Sequence, residues 1–130
     1  MIEPWQLAIK LSTVAAELNR RNALGFTYNG KAFQIDDASQ ARITALAVKA
    51  VRVVAGEAGA TWADGFVFLA ADNSEVAMTA ADFGPFADAA SNAVIARRMH
   101  ARSLKDDILS AYAAQDEQAY NAIDVTAGWE

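Results

Sequence analysis

The sequence contains no cysteine, only one histidine and only two prolines among its 130 residues. Without cysteine the chain forms neither disulfide bonds nor thiolate metal ligands, so packing alone must hold the fold. The lone His100 has no second histidine with which to build a metal site, and its neighbours one helical turn away are Ala96 and Leu104. We therefore expect His100 to have a structural role or to face solvent, and the protein to need no metal or other cofactor.

Motifs for nucleotide binding and for nucleophilic catalysis are also missing. The seven glycines form neither GxGxxG nor GxxxxGK[ST], and no serine lies in a GxSxG setting. The adjacent carboxylates Asp36 and Asp37 have no visible acid or base partner, and helix capping explains Asp37 more simply. A site assembled from separate carboxylates such as Asp64, Glu75 and Asp82 is kept only as a third alternative. We expect the protein not to be an enzyme.

Long hydrophobic runs and excess positive charge are absent as well. No apolar run has the length that spans a bilayer, and residues 1–6 lack the basic and apolar regions of a signal peptide. The net charge of −5 opposes bulk attraction to nucleic acid or anionic lipid. We expect a soluble protein that is cytoplasmic at synthesis and has no membrane partner.

The strongest pattern present is a long amphipathic helix over residues 83–115. Its side chains recur at alternating steps of four and three, which places one row along a single helix face. The row consists of Phe83, Ala87, Ala90, Val94, Arg97, Ala101, Leu104, Ile108 and Ala111. Such a row needs a covering partner, and a chain of this length supports a single domain over residues 1–130.

Residues 3–22 are predicted to form a first helix that begins at Pro4. The missing N–H of proline is harmless in the first turn, and Leu7, Leu11, Val14 and Leu18 repeat at heptad spacing. Two heptads are too few to establish a coiled coil. The row therefore packs either on its own domain or on a second copy, and residues 1–19 are an oligomerisation extension in the second case.

Two β-hairpins and a further helix are predicted between the first and the long helix. Asn29-Gly30 between β-formers predicts a type I′ turn, and the Asp, Asn and Ser of residues 71–75 predict a second turn between 66–69 and 76–79. Asp37 with Gln40 has the form of a capping box and predicts a helix that ends near Gly56.

The start of the long helix and the end of the chain are less sharply defined. Thr79 and Asp82 resemble a second capping box, but Pro85 would remove a helical hydrogen bond and favours a start at Gly84-Pro85. Residues 116–122 allow one further short helical turn before an extended, apolar tail. The predicted fold class is α+β: three helices, the C-terminal one longest, packed with two antiparallel β-hairpins that can join in one small sheet.

Several stretches resemble a domain of unknown function found in phage and prophage tail-region proteins. The first runs from Arg20 to Asp36 and includes Gly25-Phe26-Thr27-Tyr28-Asn29-Gly30. Ala71-Asp72-Asn73 with Val76-Ala77-Met78-Thr79-Ala80-Ala81-Asp82 is similar to that family's ADN and LTAAD segments, and Arg102 to Ile108 is similar to its LKD helix. Ala122-Ile123-Asp124-Val125-Thr126-Ala127-Gly128-Trp129 is similar to its closing motif A-I-D-[IV]-T-x-G-W. The resemblance spans residues 20–129.

This resemblance implies a phage or prophage tail-associated structural protein or tail-fibre assembly protein that acts through protein contacts. The expected partners are a tail or tail-fibre protein and further copies of the chain, and the protein would then be a candidate component of the virion tail. The expected contact residues are Trp129, Val125, Ile123, Leu7, Leu11, Leu18, Arg98 and Arg102. The alternative is a small prophage regulatory module whose basic face, Arg97 to Lys105, contacts nucleic acid or an acidic protein; nucleic acid is the less expected of the two.

Overall fold

The computed structural model describes residues 1–130, of which 61% are helical. The chain forms four helices and four short strands. In order they are α1 Pro4–Leu24, β1 Phe26–Tyr28, β2 Lys31–Phe33, α2 Asp37–Val54, β3 Val67–Leu69, β4 Glu75–Ala77, α3 Ala80–Ala113 and α4 Glu117–Ala122. None of the helices combines the length and the apolar content that a membrane span requires.

The predicted architecture, three helices packed with two hairpins that can join in one small sheet, was wrong. The fold is mixed α+β, but a fourth helix, α4, follows α3, and the hairpins form two separate two-stranded sheets, β1–β2 and β3–β4. Between the sheets lie the hydrogen bond from Ala71 N to Ala32 O, at 2.8 Å, and a contact from Lys31 Nζ to Ser74 Oγ, at 2.9 Å. These two contacts do not form a strand ladder. Each strand is only three residues long.

The chain divides into two compact units, and α1 and α3 contribute residues to both. The first unit contains Met1–Arg21 and Ile95–Glu130, and the second contains Asn22–Val94. Each unit has its own hydrophobic cluster. The predicted row on α3 is confirmed, because its apolar members are all buried: those up to Val94 belong to the cluster of the second unit, and those from Ala101 onward to that of the first.

Aromatic rings fill the core of the second unit. Phe33, Phe83 and Phe86 are fully buried, and the Phe33 and Phe86 rings meet edge to face with centroids 4.8 Å apart. Trp62 closes the cluster beside Phe83, and its Nε1 donates to Met78 O at 3.0 Å. Each such tilted ring pair adds about 0.5–1.5 kcal/mol of stability beyond the contribution of the apolar area that it buries. This stabilisation compensates for the small area that a helix face made largely of alanine can bury.

The predicted hairpins form with the expected turn chemistry. Asn29 and Gly30 both have positive φ, as a type I′ turn requires, and Tyr28 pairs with Lys31 across it. The second hairpin is shorter than predicted, since β3 begins at Val67 and β4 ends at Ala77.

Two predicted helix starts needed correction by a few residues. The N-cap of α2 is Asp36 rather than Asp37, because the Ser39 N–H donates to Asp36 Oδ1 at 3.0 Å. Thr79 and Asp82 do form the capping box of α3, with each backbone N–H donating to the other side chain. The helix therefore begins at Ala80, and Pro85 lies inside it.

Candidate functional site: the C-terminal tail and the exposed helix faces

Short-range hydrogen bonds shape the chain after α3. Asp116 caps α4 by accepting from Ala119 N at 3.1 Å. Beyond α4, Asp124 Oδ1 accepts from the N–H of Thr126 at 2.9 Å and from its hydroxyl at 2.7 Å, a local turn that reverses the chain. Gly128 then adopts φ +84°, a conformation that glycine tolerates best. The tail is thus bent twice, and the prediction of an extended tail was wrong.

The bends bring Trp129 back onto the core of the first unit. Its side chain is only 6% exposed, and its Nε1 donates to Val125 O at 2.8 Å. The His100 ring meets the indole edge to face, with centroids 4.7 Å apart. His100 Nε2 lies 2.7 Å from Ala127 O. Because a carbonyl oxygen only accepts, Nε2 must carry a proton there. These contacts agree with the structural role expected for His100.

Arg21, near the end of α1, makes the polar contacts that hold the tail. Its Nη1 donates to Glu130 Oε1 at 2.6 Å, and its Nη2 donates to Thr126 O at 3.0 Å. Its Nε donates to Glu17 Oε1 at 2.8 Å, and Glu17 also receives hydrogen bonds from Arg20. Hydrogen bonds from Arg20 and then Arg21 lower the pKa of Glu17 to about 2. We call the set Glu17, Arg21, His100 and Trp129 the tail clasp.

The tail residues predicted to contact a partner therefore have contacts within their own unit. Trp129 is buried, and Ile123 and Val125 are half-buried against the same cluster. In this structure the Trp129 side chain packs on the core of its own unit.

The predicted row on α1 faces inward in the same way. Leu7, Leu11 and Leu18 are half-buried against the cluster that contains Val14 and Ile108. The buried part of these leucines packs against residues of the same unit. The heptad spacing of this row therefore does not by itself indicate contact with a second copy.

The basic residues of α3 are divided between the core side and the surface. Arg97 is half-buried, donates through Nη1 to Arg21 O at 2.8 Å, and has its pKa lowered by burial. Arg98, Arg102 and Lys105 are exposed. The i,i+4 spacing of Arg102 and Asp106 does not produce an ion pair within 4.0 Å.

Exposed apolar side chains on the outer helix faces were missed by the sequence reasoning. On α1, Trp5 is 63% exposed, with Ile9 one turn later; on α3, Met99 is 68% exposed, with Ile95 one turn before it. Further exposed apolar residues are Leu109 on α3 and Val48, Val51 and Val54 on α2. On α1 and α3, a second set of apolar residues at helical spacing, on the face opposite the buried row, is the signal that would have identified them.

Two of the concave surfaces lie in the second unit. A cavity of about 350 Å³ is lined by Tyr28, Lys31, Met78, Asp82 and Pro85 among others. Asp64 and Asp82 line a shallower one of about 480 Å³, which Glu75 does not reach. Asp82 is engaged in capping α3, where hydrogen bonds from Thr79 lower its pKa. No three His, Asp or Glu side chains lie close enough together to hold a metal ion.

The fold and these surfaces define a helix-rich α+β protein with two small hairpins and a C-terminal tail clasped to its helices. The family described as Domain of unknown function (DUF4376) matches residues 6–127, and the chain belongs to that family. The match begins inside α1, so α1 is part of the family domain from its third residue. No curated protein and no solved structure matches the chain.

Proposed function

We propose that the protein is a phage or prophage tail-associated structural or tail-fibre assembly protein that acts through protein contacts. The proposal starts from the resemblance of residues 20–129 to a tail-region domain. The observation that carries it is the grouping of exposed apolar side chains in rows on helices, such as Trp5 with Ile9 and Ile95 with Met99. Trp and Met are enriched in protein interfaces, and grouped apolar residues on a surface mark contact sites more often than isolated ones do.

The tail clasp supports a stabilising role for the closing A-I-D-[IV]-T-x-G-W motif within this proposal. Gly128 provides the bend, Asp124 makes the turn, and Trp129 fills the core, so each of these motif residues has a folding purpose. The proposed partner contacts accordingly move from the tail to the outer faces of α1 and α3.

The alternative, a regulatory module that binds through its basic face, has less support. Arg97 donates to the backbone of Arg21, Asp106 lies about one turn after Arg102, and Asp107 lies two residues after Lys105. These features lower the positive potential that phosphate binding requires. A gel-shift assay at low salt tests this alternative, because phosphate contacts weaken steeply as salt rises.

The tail role is tested by expressing a tagged chain in the phage or lysogen that encodes it and purifying tail particles. We expect the chain to be present in the particles or to co-purify with a tail-fibre protein during assembly. The double variant Trp5→Lys, Ile9→Lys should reduce this retention while circular dichroism shows an intact fold. Lys49→Glu, an exposed change on α2, is the matched control. A chain that stays monomeric and retains no tail component would rule the proposal out.

A further inference from the structure

A second row of residues runs along α3 on the side opposite the buried one. Its members follow at steps of four, three, four, three and four, which is the spacing of a helix-pairing seam. They are Ile95, Met99, Arg102, Asp106, Leu109 and Ala113, and all six are exposed. We call this set the outer row; every member belongs to the first unit.

The outer row is complementary to itself when it is read in the opposite direction. Position 104 is the midpoint of the outer row. When two copies pair antiparallel about this point, Met99 lies opposite Leu109, and Ile95 lies opposite Ala113. At the centre, Arg102 of each copy faces Asp106 of the other. Parallel pairing would instead place arginine on arginine and aspartate on aspartate, which is unfavourable.

We infer that the protein forms an antiparallel two-fold dimer in which the outer rows of two α3 helices pack together. The symmetry satisfies the requirement of a two-fold interface, in which one patch must be complementary to itself. Within one chain, arginine preceding aspartate at i,i+4 is the weaker orientation for an ion pair, consistent with the missing pair between Arg102 and Asp106. Their charges are therefore available for a pair between copies.

The dimer should be weak and in exchange with monomer. One helix face with six residue pairs, three of them unique under the two-fold symmetry, buries less than the roughly 1,200 Å² at which stable interfaces begin. The two-fold axis also brings Lys105, which flanks the outer row, near the Lys105 of the second copy, and the two positive charges repel each other. This inference does not depend on the proposed tail role, and retention of tail proteins is measured separately from self-association.

Charge reversal tests the central pair. Arg102→Asp makes the centre of the row wholly acidic, and Asp106→Arg makes it wholly basic. In sedimentation velocity over a concentration series, each variant alone should dimerise at least about tenfold more weakly than the wild-type chain. An equimolar mixture should recover the dimer, because the acidic row then faces the basic row. Recovery on mixing also shows that both variants are folded.

Lys49→Asp, on the exposed surface of α2, makes the same charge change as Arg102→Asp; it is the matched control and should dimerise as the wild-type chain does. A wild-type chain that remains monomeric up to its solubility limit would overturn the inference. A dimer that both reversals leave intact would overturn it too, and loss of that dimer in Ile9→Lys would assign the contact to α1 instead.

Cysteine cross-linking tests the direction of pairing, and the absence of native cysteine makes the readout clean. Under oxidation, the double variant Met99→Cys, Leu109→Cys should form a covalent dimer. Ten residues along a helix span about 15 Å, well beyond the reach of a disulfide within one chain. Met99→Cys alone should stay uncrosslinked. Efficient cross-linking of that single variant would indicate a parallel pair and contradict the proposed register.

Discussion

Trp129 meets His100 edge to face, with ring centroids 4.7 Å apart and planes at 84°. The contact joins the penultimate residue of the chain to the middle of α3, across 29 positions of sequence. It also gives the lone histidine and the closing tryptophan one shared purpose, which is to hold the tail on the first unit.

Gly128→Ala should release this contact. A Cβ atom at position 128 would lie 2.7 Å from His100 Cε1, and φ is +84°. The backbone strain alone costs about 1–2 kcal/mol, and displacement of the histidine ring adds to it. We expect a clear drop in the free energy of unfolding and an increase in Trp129 exposure, measured by urea denaturation and by fluorescence quenching.

Gly59→Ala is the control for that experiment, since Gly59 has φ +81° with open space around its missing side chain. It bears the backbone strain without the collision. Equal losses in the two variants would mean that the His100 contact contributes nothing to stability.

Gly25→Ala should be more harmful because the obstacle is backbone. The added Cβ would lie 2.2 Å from Phe33 O, where the chain leaves α1 and enters β1. A rigid neighbour cannot move aside as a side chain can, so we expect a loss of about 3 kcal/mol or more. Gly30→Ala, in the open hairpin turn at φ +79°, is the comparison and should lose about 1 kcal/mol. Comparable denaturation midpoints for the two variants would contradict this explanation.

Sequence periodicity predicted the helices, their buried faces and the turns well, but it predicted poorly what each element packs against. The spacing from Phe83 to Ala111 identified the buried face of α3, and Asn29-Gly30 identified the turn between β1 and β2. Both predictions were possible because helix faces and turn conformations depend on residues that are near in sequence. Asp36 and Asp37 are adjacent residues of the same type, so the sequence does not distinguish which of them is the N-cap of α2. The favoured helix start at Gly84-Pro85 was wrong, because the other candidate, the Thr79 and Asp82 capping box, begins the helix at Ala80.

The tail and the outer faces show why the candidate contacts were harder to predict. Whether Trp129 lies on its own core depends on Arg21 and His100, which are distant in sequence. The spacing of Leu7, Leu11 and Leu18 identifies a buried face but not what covers it, and here the covering residues belong to the same unit. The exposed residues Trp5 and Met99 could be recognised only after the inward faces had been assigned.

Glu17 should make stability depend on pH in the acid range. Its pKa is lowered from 4.5 to about 2 by hydrogen bonds from Arg20 and then Arg21. A lowered folded-state pKa means that the stabilisation is present above pH 4.5 and is lost as the pH falls toward 2. We expect Glu17→Gln to unfold at a lower temperature than the wild-type chain at pH 6, with the difference shrinking as the pH approaches 2.

Parallel thermal melts of the wild-type chain and Glu17→Gln provide the measurement. Asp88→Asn, a change of one exposed carboxylate on α3, controls for the general effect of removing a negative charge. A difference between the wild-type chain and Glu17→Gln that stays constant from pH 6 to pH 2 would show that the carboxylate charge is not what Arg20 and Arg21 stabilise.

Tyr120 of α4 buries a hydroxyl group that has no hydrogen-bond partner. Burial also raises the pKa of its phenol, in keeping with an apolar setting, while the ring lies under Lys10 Nζ at 4.5 Å from its centroid. Removing an unpaired buried hydroxyl relieves a desolvation cost, so Tyr120→Phe should be neutral or stabilise the fold by up to about 1 kcal/mol. Tyr120→Leu, which also loses the ring under Lys10, should destabilise it. If urea denaturation instead showed Tyr120→Phe to be less stable by about 1 kcal/mol or more, the hydroxyl would have to be bonded to a buried water molecule in solution.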